Sequence, residues 1–195
     1  MRIESLENEV RQLYQTANSD RSADWADWLF DGHVVIVADY ASELAKRYGV
    51  NEDTARAAAL LHDIADAVMK REDPRHEQTS QDIARDLLQK HGYNPDEIHT
   101  IVDDAVALHS CHDGKIPSSQ EGKVLATADS MAHLKGDFYL FATRRFGASQ
   151  GKSLADVKAW ILKKIDRDYN NKILFDDVRS ELTRDYEMLK DIFSR

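Results

Sequence analysis

Apolar residues recur along most of the chain at intervals of three and four, the period of an amphipathic helix. Ile3, Leu6, Val10, Leu13 and Tyr14 draw the first stripe over residues 2–19, which Asn18-Ser19-Asp20 ends. Residues 22–30 bring Trp25, Trp28, Leu29 and Phe30, a short aromatic segment expected to be pinned on the core. A second long helix is predicted from Asp31 to Tyr48 on Val34, Val35, Val37, Ala38, Ala41, Leu44 and Ala45, with His33 in its first turn and Gly49 just past its end. Asn51 is placed to cap the helix that follows. Pro74 opens another at about 75–91, with His76 in its first turn and Gly92 as its stop. Asn94-Pro95 starts a helix that runs to about Ser110 on Ile98, Ile101, Val102, Ala105, Val106 and Leu108, and His109 stands at its end. After the loop 111–117, Ser118 and Glu121 form a capping box for a helix from Gly122 to Leu134. Beyond Gly136 come Phe138-Tyr139-Leu140-Phe141 and Arg144-Arg145. Two last helices are predicted at about 153–166 (Leu154, Val157, Trp160, Ile161, Ile165) and 172–193 (Leu174, Val178, Leu182, Tyr186, Leu189, Ile192). No strand pattern, repeat or linker interrupts the series. The pattern predicts an all-α fold, a single domain over 1–195 whose last two helices can form an appended hairpin.

One predicted helix is apolar on more than a single face. Ala57-Ala58-Ala59-Leu60-Leu61-His62-Asp63-Ile64-Ala65-Asp66 has no Gly or Pro and reads as a helix packed on most sides. His and Asp are costly in such a place unless paired or bound to a metal. Adjacent helical residues point about 100° apart, so His62 and Asp63 can approach one ion from neighbouring directions. Asp63 and Asp66, three apart, share a face. Polar residues intrude on, or end, other predicted helices at His33, His76, His109 and Asp129. Imidazole and carboxylate suit divalent Fe, Mn, Ni, Co and Zn. Ligands from separate helices that meet in a bundle core are one way to build a di-metal site.

Composition narrows the partners. Of 195 residues 42% are hydrophobic, enough for a core of ordinary size. The net charge of −9 argues against general binding of DNA or RNA and against anionic membranes. It permits a nucleotide substrate, because a local metal ion reverses the field inside a cleft. The one cysteine, Cys111, excludes an internal disulfide. The first residues are too acidic for a signal peptide, and no apolar run reaches the length of a membrane span. The expectation is a soluble cytoplasmic protein.

Taken in order, His33, then Ala-Ala-Leu-Leu-His62-Asp63-Ile64, then Ala126-Thr127-Ala128-Asp129-Ser130 make the sequence resemble the HD superfamily of metal-dependent phosphohydrolases, over about residues 31–135. His76 and His109 are similar to the extra histidines of its two-metal branches, which include HD-type hydrolases of diadenosine tetraphosphate. The resemblance implies a helical HD-domain bundle with its core at about 31–135 and a C-terminal extension at about 137–195 that carries the last pair of helices. It also implies one ion held by His33, His62, Asp63 and Asp129, and a second held by His76 and His109 with Asp63 bridging. One or two divalent ions are expected, of Fe, Mn, Ni, Co or Zn, with Mg also compatible. Asp63 and Asp66 are the catalytic candidates. Some two-metal relatives carry Lys at the position of Asp66, and single-metal nucleotidases carry an acidic residue there that acts as an acid or orients water. His112, in the loop, competes with His109 as a ligand; His109 ends the apolar stripe and is preferred. Lys115, Arg144 and Arg145 are the candidates for phosphate binding. The last two helices give no comparable functional signal.

The expected activity is hydrolysis of a phosphate ester or anhydride of a nucleotide or small phosphorylated metabolite by metal-activated water. A long nucleic acid and a membrane are not expected as partners, and the amphipathic terminal helices leave a homodimer open. The resemblance also allows an HD-type di-iron oxygenase on the same ligands. A third reading is a nucleotide-sensing or interaction module without turnover, with Arg144-Arg145 and the C-terminal helices as its partner surface.

Overall fold

Polar-faced helices wrap an Ala- and Leu-rich centre in the computed structural model of the chain, which describes residues 1–16 and 28–195, the side chains of 148 and 149 apart. The expected helix stop at Asn18-Ser19-Asp20 and Trp25 of the aromatic segment lie outside the described residues. Among the described residues there is no strand, and no helix is long and apolar enough to cross a membrane.

Helix α1 spans Arg2–Thr16 and buries Leu6, Val10 and Tyr14. Helix α2 opens with a π-helical turn, Phe30–Val34, and continues as Val35–Tyr48. Gly49 follows in the left-handed conformation (φ 67°), a backbone state that favours glycine and stops the helix. Helix α3, Glu52–Leu61, starts at the Asn51 side chain, which accepts from Thr54 N (3.1 Å). Helix α4 spans His76–Lys90. Helix α5 begins with the Asn94/Glu97 capping box at Pro95–Ile98 and runs on as a π-helical stretch, His99–Val106. Helix α6, Gln120–Lys135, is the central rod, and every residue from Val124 to Leu134 is buried. Helix α7 spans Phe138–Arg144 and helix α8 Leu154–Arg167, which continues through a π-helical turn, Asp168–Lys172. Helices α9, Asp176–Glu181, and α10, Thr183–Ser194, close the chain. Helices α2, α3 and α6 pack on one another, α5 packs on α3 and α6, α1 covers α3, the π-helical end of α8 and helix α10 lie against α6, and α8 and α10 lie against each other.

Four expectations are corrected. The apolar helix does not run on through Asp66: α3 stops at Leu61, and a 3-10 turn, Ile64–Ala67, follows. Ser119, not Ser118, caps α6 by accepting from Gly122 N (2.9 Å); both serines give N and Oγ to Asp104, which fixes the start of the helix one residue later than the sequence spacing places it. The predicted helix over 172–193 is divided: Lys172 ends the preceding run, Ile173 is extended, and the chain bends at Leu182 between α9 and α10. Leu154 and Ile192, placed on buried stripes by spacing, are exposed near helix ends, while Val157, Ile161 and Ile165 carry the packing of α8.

Candidate metal centre

The break after α3 presents the central pair. His62 Nδ1 donates to Ala59 O (2.7 Å), and Asp63 leaves helical geometry (φ −129°, ψ 34°). Tyr14 of α1 donates to Asp63 O (3.1 Å), as does Asp66 N (2.9 Å), and Ser80 of α4 accepts from Ala65 N (3.1 Å). The backbone groups freed by ending a helix inside the protein are thus partnered.

Three helices converge on one point. His33 of α2, His62 at the end of α3 and Asp129 of α6 are all buried, and one ligand atom from each lies within 4.8 Å of the others. His33 Nε2 is 3.3 Å from His62 Nε2 and 3.2 Å from Asp129 Oδ1. Since Ala59 O can only accept, His62 carries its proton on Nδ1 and turns a lone pair inward from Nε2. Asp129 Oδ1 is buried and has no hydrogen-bond partner among the described residues. Lone pairs and an orphaned carboxylate oxygen directed to a common point are the donor set a divalent cation satisfies. Asp63 stands beside it, with Oδ2 3.6 Å from His62 Nε2.

His109, just past the helical part of α5, has the same orientation as His62: Nδ1 donates to Val106 O (2.7 Å), and Nε2 is 4.0 Å from Asp63 Oδ1. His112 is exposed in the next turn, where its ring meets Arg167 and not the His/Asp cluster. His76 turns Nε2 to Asp66 Oδ1 (3.0 Å), so its nearest partner is Asp66. Asp66 is buried behind the cavity wall, while Asp63 lines the cavity.

Burial pushes the His33 imidazole down, that of His109 to about 4 and that of His133 to about 3. Neutral rings at neutral pH are the form that ligates. Burial opposes ionisation of Asp63 and Asp129. The charge of Arg71 on the first, and the imidazoles of His133 and His33 with the charge of Lys172 on the second, outweigh it and hold both carboxyls well below the usual range. For His76, burial is outweighed by its hydrogen bond to Asp66, and its pKa is raised.

Several residues at the centre escaped the sequence reading. His133, one turn along α6 from Asp129, stacks on His33 (ring centroids 5.0 Å apart, 3° between planes) and lies 3.3 Å from Asp129 Oδ1. Its other nitrogen is 3.0 Å from Asp168 Oδ2, which also accepts from Tyr139 OH (3.0 Å) and lies 3.0 Å from Lys164 Nζ. Lys172 donates to Asp129 Oδ2, and Arg71 donates to both Asp63 and Asp66. The helices expected to be silent therefore bring Lys164, Asp168 and Lys172 to the centre. The spacing Asp129…His133 was a readable signal; Arg71 and Lys172 lie in polar stretches where one cation makes no pattern.

A cavity of about 480 Å³ opens over the cluster and is lined by His33, His62, Asp63, His76, His109 and Asp129, with Arg71, Arg145, Lys164, Arg167 and Lys172 among its cations. Of the predicted phosphate-binding residues, Arg145 lines this cavity and binds Glu72 (2.9 Å), while Lys115 and Arg144 are exposed outside it.

An all-helical bundle with a buried His/Asp cluster under a cationic cavity defines a class of metal-binding helical proteins. The HD domain family matches residues 30–134, more than half of the chain, and the chain belongs to that family of metal-dependent phosphohydrolases. Two curated relatives are named Ribonuclease Y. The protein from Symbiobacterium thermophilum is 35% identical over 101 residues and that from Fervidobacterium nodosum 30% over 100 residues, in each case 51% of this chain and 17% of the relative. The chain thus spans about a sixth of the length of these relatives. No solved structure matches the chain.

Proposed function

We propose that this chain hydrolyses a phosphate ester or anhydride of a nucleotide or another small phosphorylated metabolite. The observation that carries the reading is the convergence of His33, His62 and the unpartnered Asp129 Oδ1, with Asp63 beside them, in a member of a phosphohydrolase family. His33, His62, Asp63 and Asp129 would hold one divalent ion, of Fe, Mn, Ni, Co or Zn, with Mg compatible. A second ion would fall to His76 and His109, with Asp63 shared. A bound ion supplies a Lewis acid that lowers the pKa of its water and neutralises phosphate charge.

The chain's own residues do the rest. Ala59 O and Val106 O fix the tautomers of His62 and His109, so both rings keep Nε2 toward the cavity. Asp63 faces the substrate. Asp66, out of its reach, is a positioning residue: it orients His76 through Nε2 and Arg71 through the guanidinium. Arg145 and Arg71 provide positive charge for phosphate oxygens at the cavity wall.

An RNA phosphodiester is the second reading, favoured by the likeness to proteins named Ribonuclease Y. The net charge of −9 favours a short substrate over a long strand. A panel of nucleoside mono-, di- and triphosphates, dinucleoside polyphosphates, cyclic nucleotides and short RNA, run on metal-reconstituted protein, separates the two. His62→Ala and Asp63→Ala should lose turnover with unchanged circular dichroism; full activity in a well-folded, metal-depleted preparation would defeat the reading.

A further inference from the structure

One cation in the cavity keeps a buried donor without a hydrogen bond. Lys164, Arg167 and Lys172 all come from α8 and its π-helical end, beyond the residues matched by the family. Lys164 is held by Asp168 and Lys172 by Asp129. Arg167 differs. Its Nε is buried and has no hydrogen-bond partner among the described residues. Asp168 Oδ1, at 3.9 Å from that nitrogen, forms a long ion pair with it but is too far for a hydrogen bond, and the same carboxylate is shared with Lys164 and His133. Among the described residues, its Nη1 hydrogen-bonds the ring of His112, 3.3 Å from Nε2 and 3.5 Å from Nδ1. A guanidinium presents five donors in a planar fork and matches the oxygens of a phosphate in pairs. Here the fork faces a second basic group across the same cavity that holds His62, Asp63 and Asp129. Burial and the neighbouring Arg167 push the His112 imidazole down against the opposing charges of Glu77 and Asp113.

We infer that Arg167, with His112, forms a second phosphate subsite that selects substrates carrying a further phosphate beside the scissile one. The inference rests on the phosphohydrolase reading only for which phosphate is cleaved. The second phosphate can be the next member of an anhydride chain or the neighbouring phosphate of a short oligonucleotide.

Equilibrium binding tests it, read by tryptophan fluorescence because Trp160 lines the cavity. The full chain, with one divalent ion at fixed concentration, is titrated with AMP against ADP, and with the dinucleotide ApA against its 5′-phosphorylated form pApA. Wild type should bind the member with the extra phosphate about 10-fold more tightly in at least one pair, and Arg167→Gln should bring the two members to within about twofold without moving the other member. Arg167→Lys should keep part of the preference. A preference for ADP assigns the anhydride chain, and one for pApA the oligonucleotide. Equal binding within both pairs in wild type, or a preference that survives Arg167→Gln, overturns the inference. If Arg167→Gln melts early, His112→Gln on the exposed turn serves instead: loss of the preference supports the subsite and an unchanged preference overturns it. Phosphate release is followed in the same samples. Its absence everywhere would count against the hydrolase reading while the binding ratios still decide the subsite.

Discussion

What each histidine does at the centre depends on what its second nitrogen meets. His62 and His109 give Nδ1 to carbonyls three residues back, so their Nε2 atoms are fixed by the backbone. His133 spans two carboxylates, Asp129 and Asp168, and its ring covers His33. Partners in such a position tune metal affinity by about 10–100-fold, so His133→Phe should weaken metal binding by that order while His91→Phe, far from the centre, should not. Competition with a chromophoric chelator measures both. Asp66→Asn should reduce kcat more than KM and be partly rescued by Asp66→Glu, as expected for a residue that orients His76 and Arg71 without touching substrate. At this scale the sequence is uneven evidence. His62, Asp63 and Asp129 stand out because polar groups interrupt apolar text. Arg71 and Lys172 do not, because a cation in a polar loop looks like every other solvated cation.

Element ends are where the sequence is most and least informative. The Asn51 and Asn94 caps and the Gly49 stop follow from residue type alone. The end of α3 does not, because nothing local in Leu61-His62-Asp63 forbids another turn; Tyr14 and Ser80, distant in sequence, hold the break open. The α6 cap moved by one residue for a similar reason. Asp104 of α5 accepts from both the N and Oγ of Ser118 and Ser119 (2.5–2.9 Å) and so anchors the start of the rod that carries Asp129. Burial opposes the Asp104 charge, but these hydrogen bonds outweigh it and lower its pKa. A lowered folded-state pKa means stabilisation fully present above the unfolded value, near 4, and lost as pH falls through the folded one. Asp104→Asn should therefore cost about 1–2 kcal/mol at neutral pH and less at pH 3, as read by chemical unfolding at both pH values. Gly122→Ala should destabilise the same joint, since a Cβ would come 2.4 Å from Pro117 Cβ and 2.8 Å from Asp104 Oδ2.

For the molecule as a whole, the extension is part of the centre. Leu174 N donates to Thr127 Oγ1 (3.0 Å), Asp168 ties α8 to Tyr139 and His133, and Val157, Ile161 and Ile165 are buried. Amphipathic periodicity shows that these helices must pack on something, but not on what, so their contribution was hidden in the sequence. We expect the chain to unfold as one cooperative unit. Ile161→Ala should cost about 2–4 kcal/mol in a single transition that calorimetry follows. A fragment of residues 1–136 should lack cooperative melting, because it bares the face of α6 that the extension covers. On the proposed reading, a divalent ion held by the His33/His62/Asp129 cluster drives phosphate hydrolysis. This is tested most directly by phosphate release across the panel at increasing concentrations of one divalent ion, for wild type and Asp129→Ala in parallel. Release should rise with bound metal in wild type and be lost in Asp129→Ala. Release from wild type that ignores metal, or that Asp129→Ala retains in full, would contradict it.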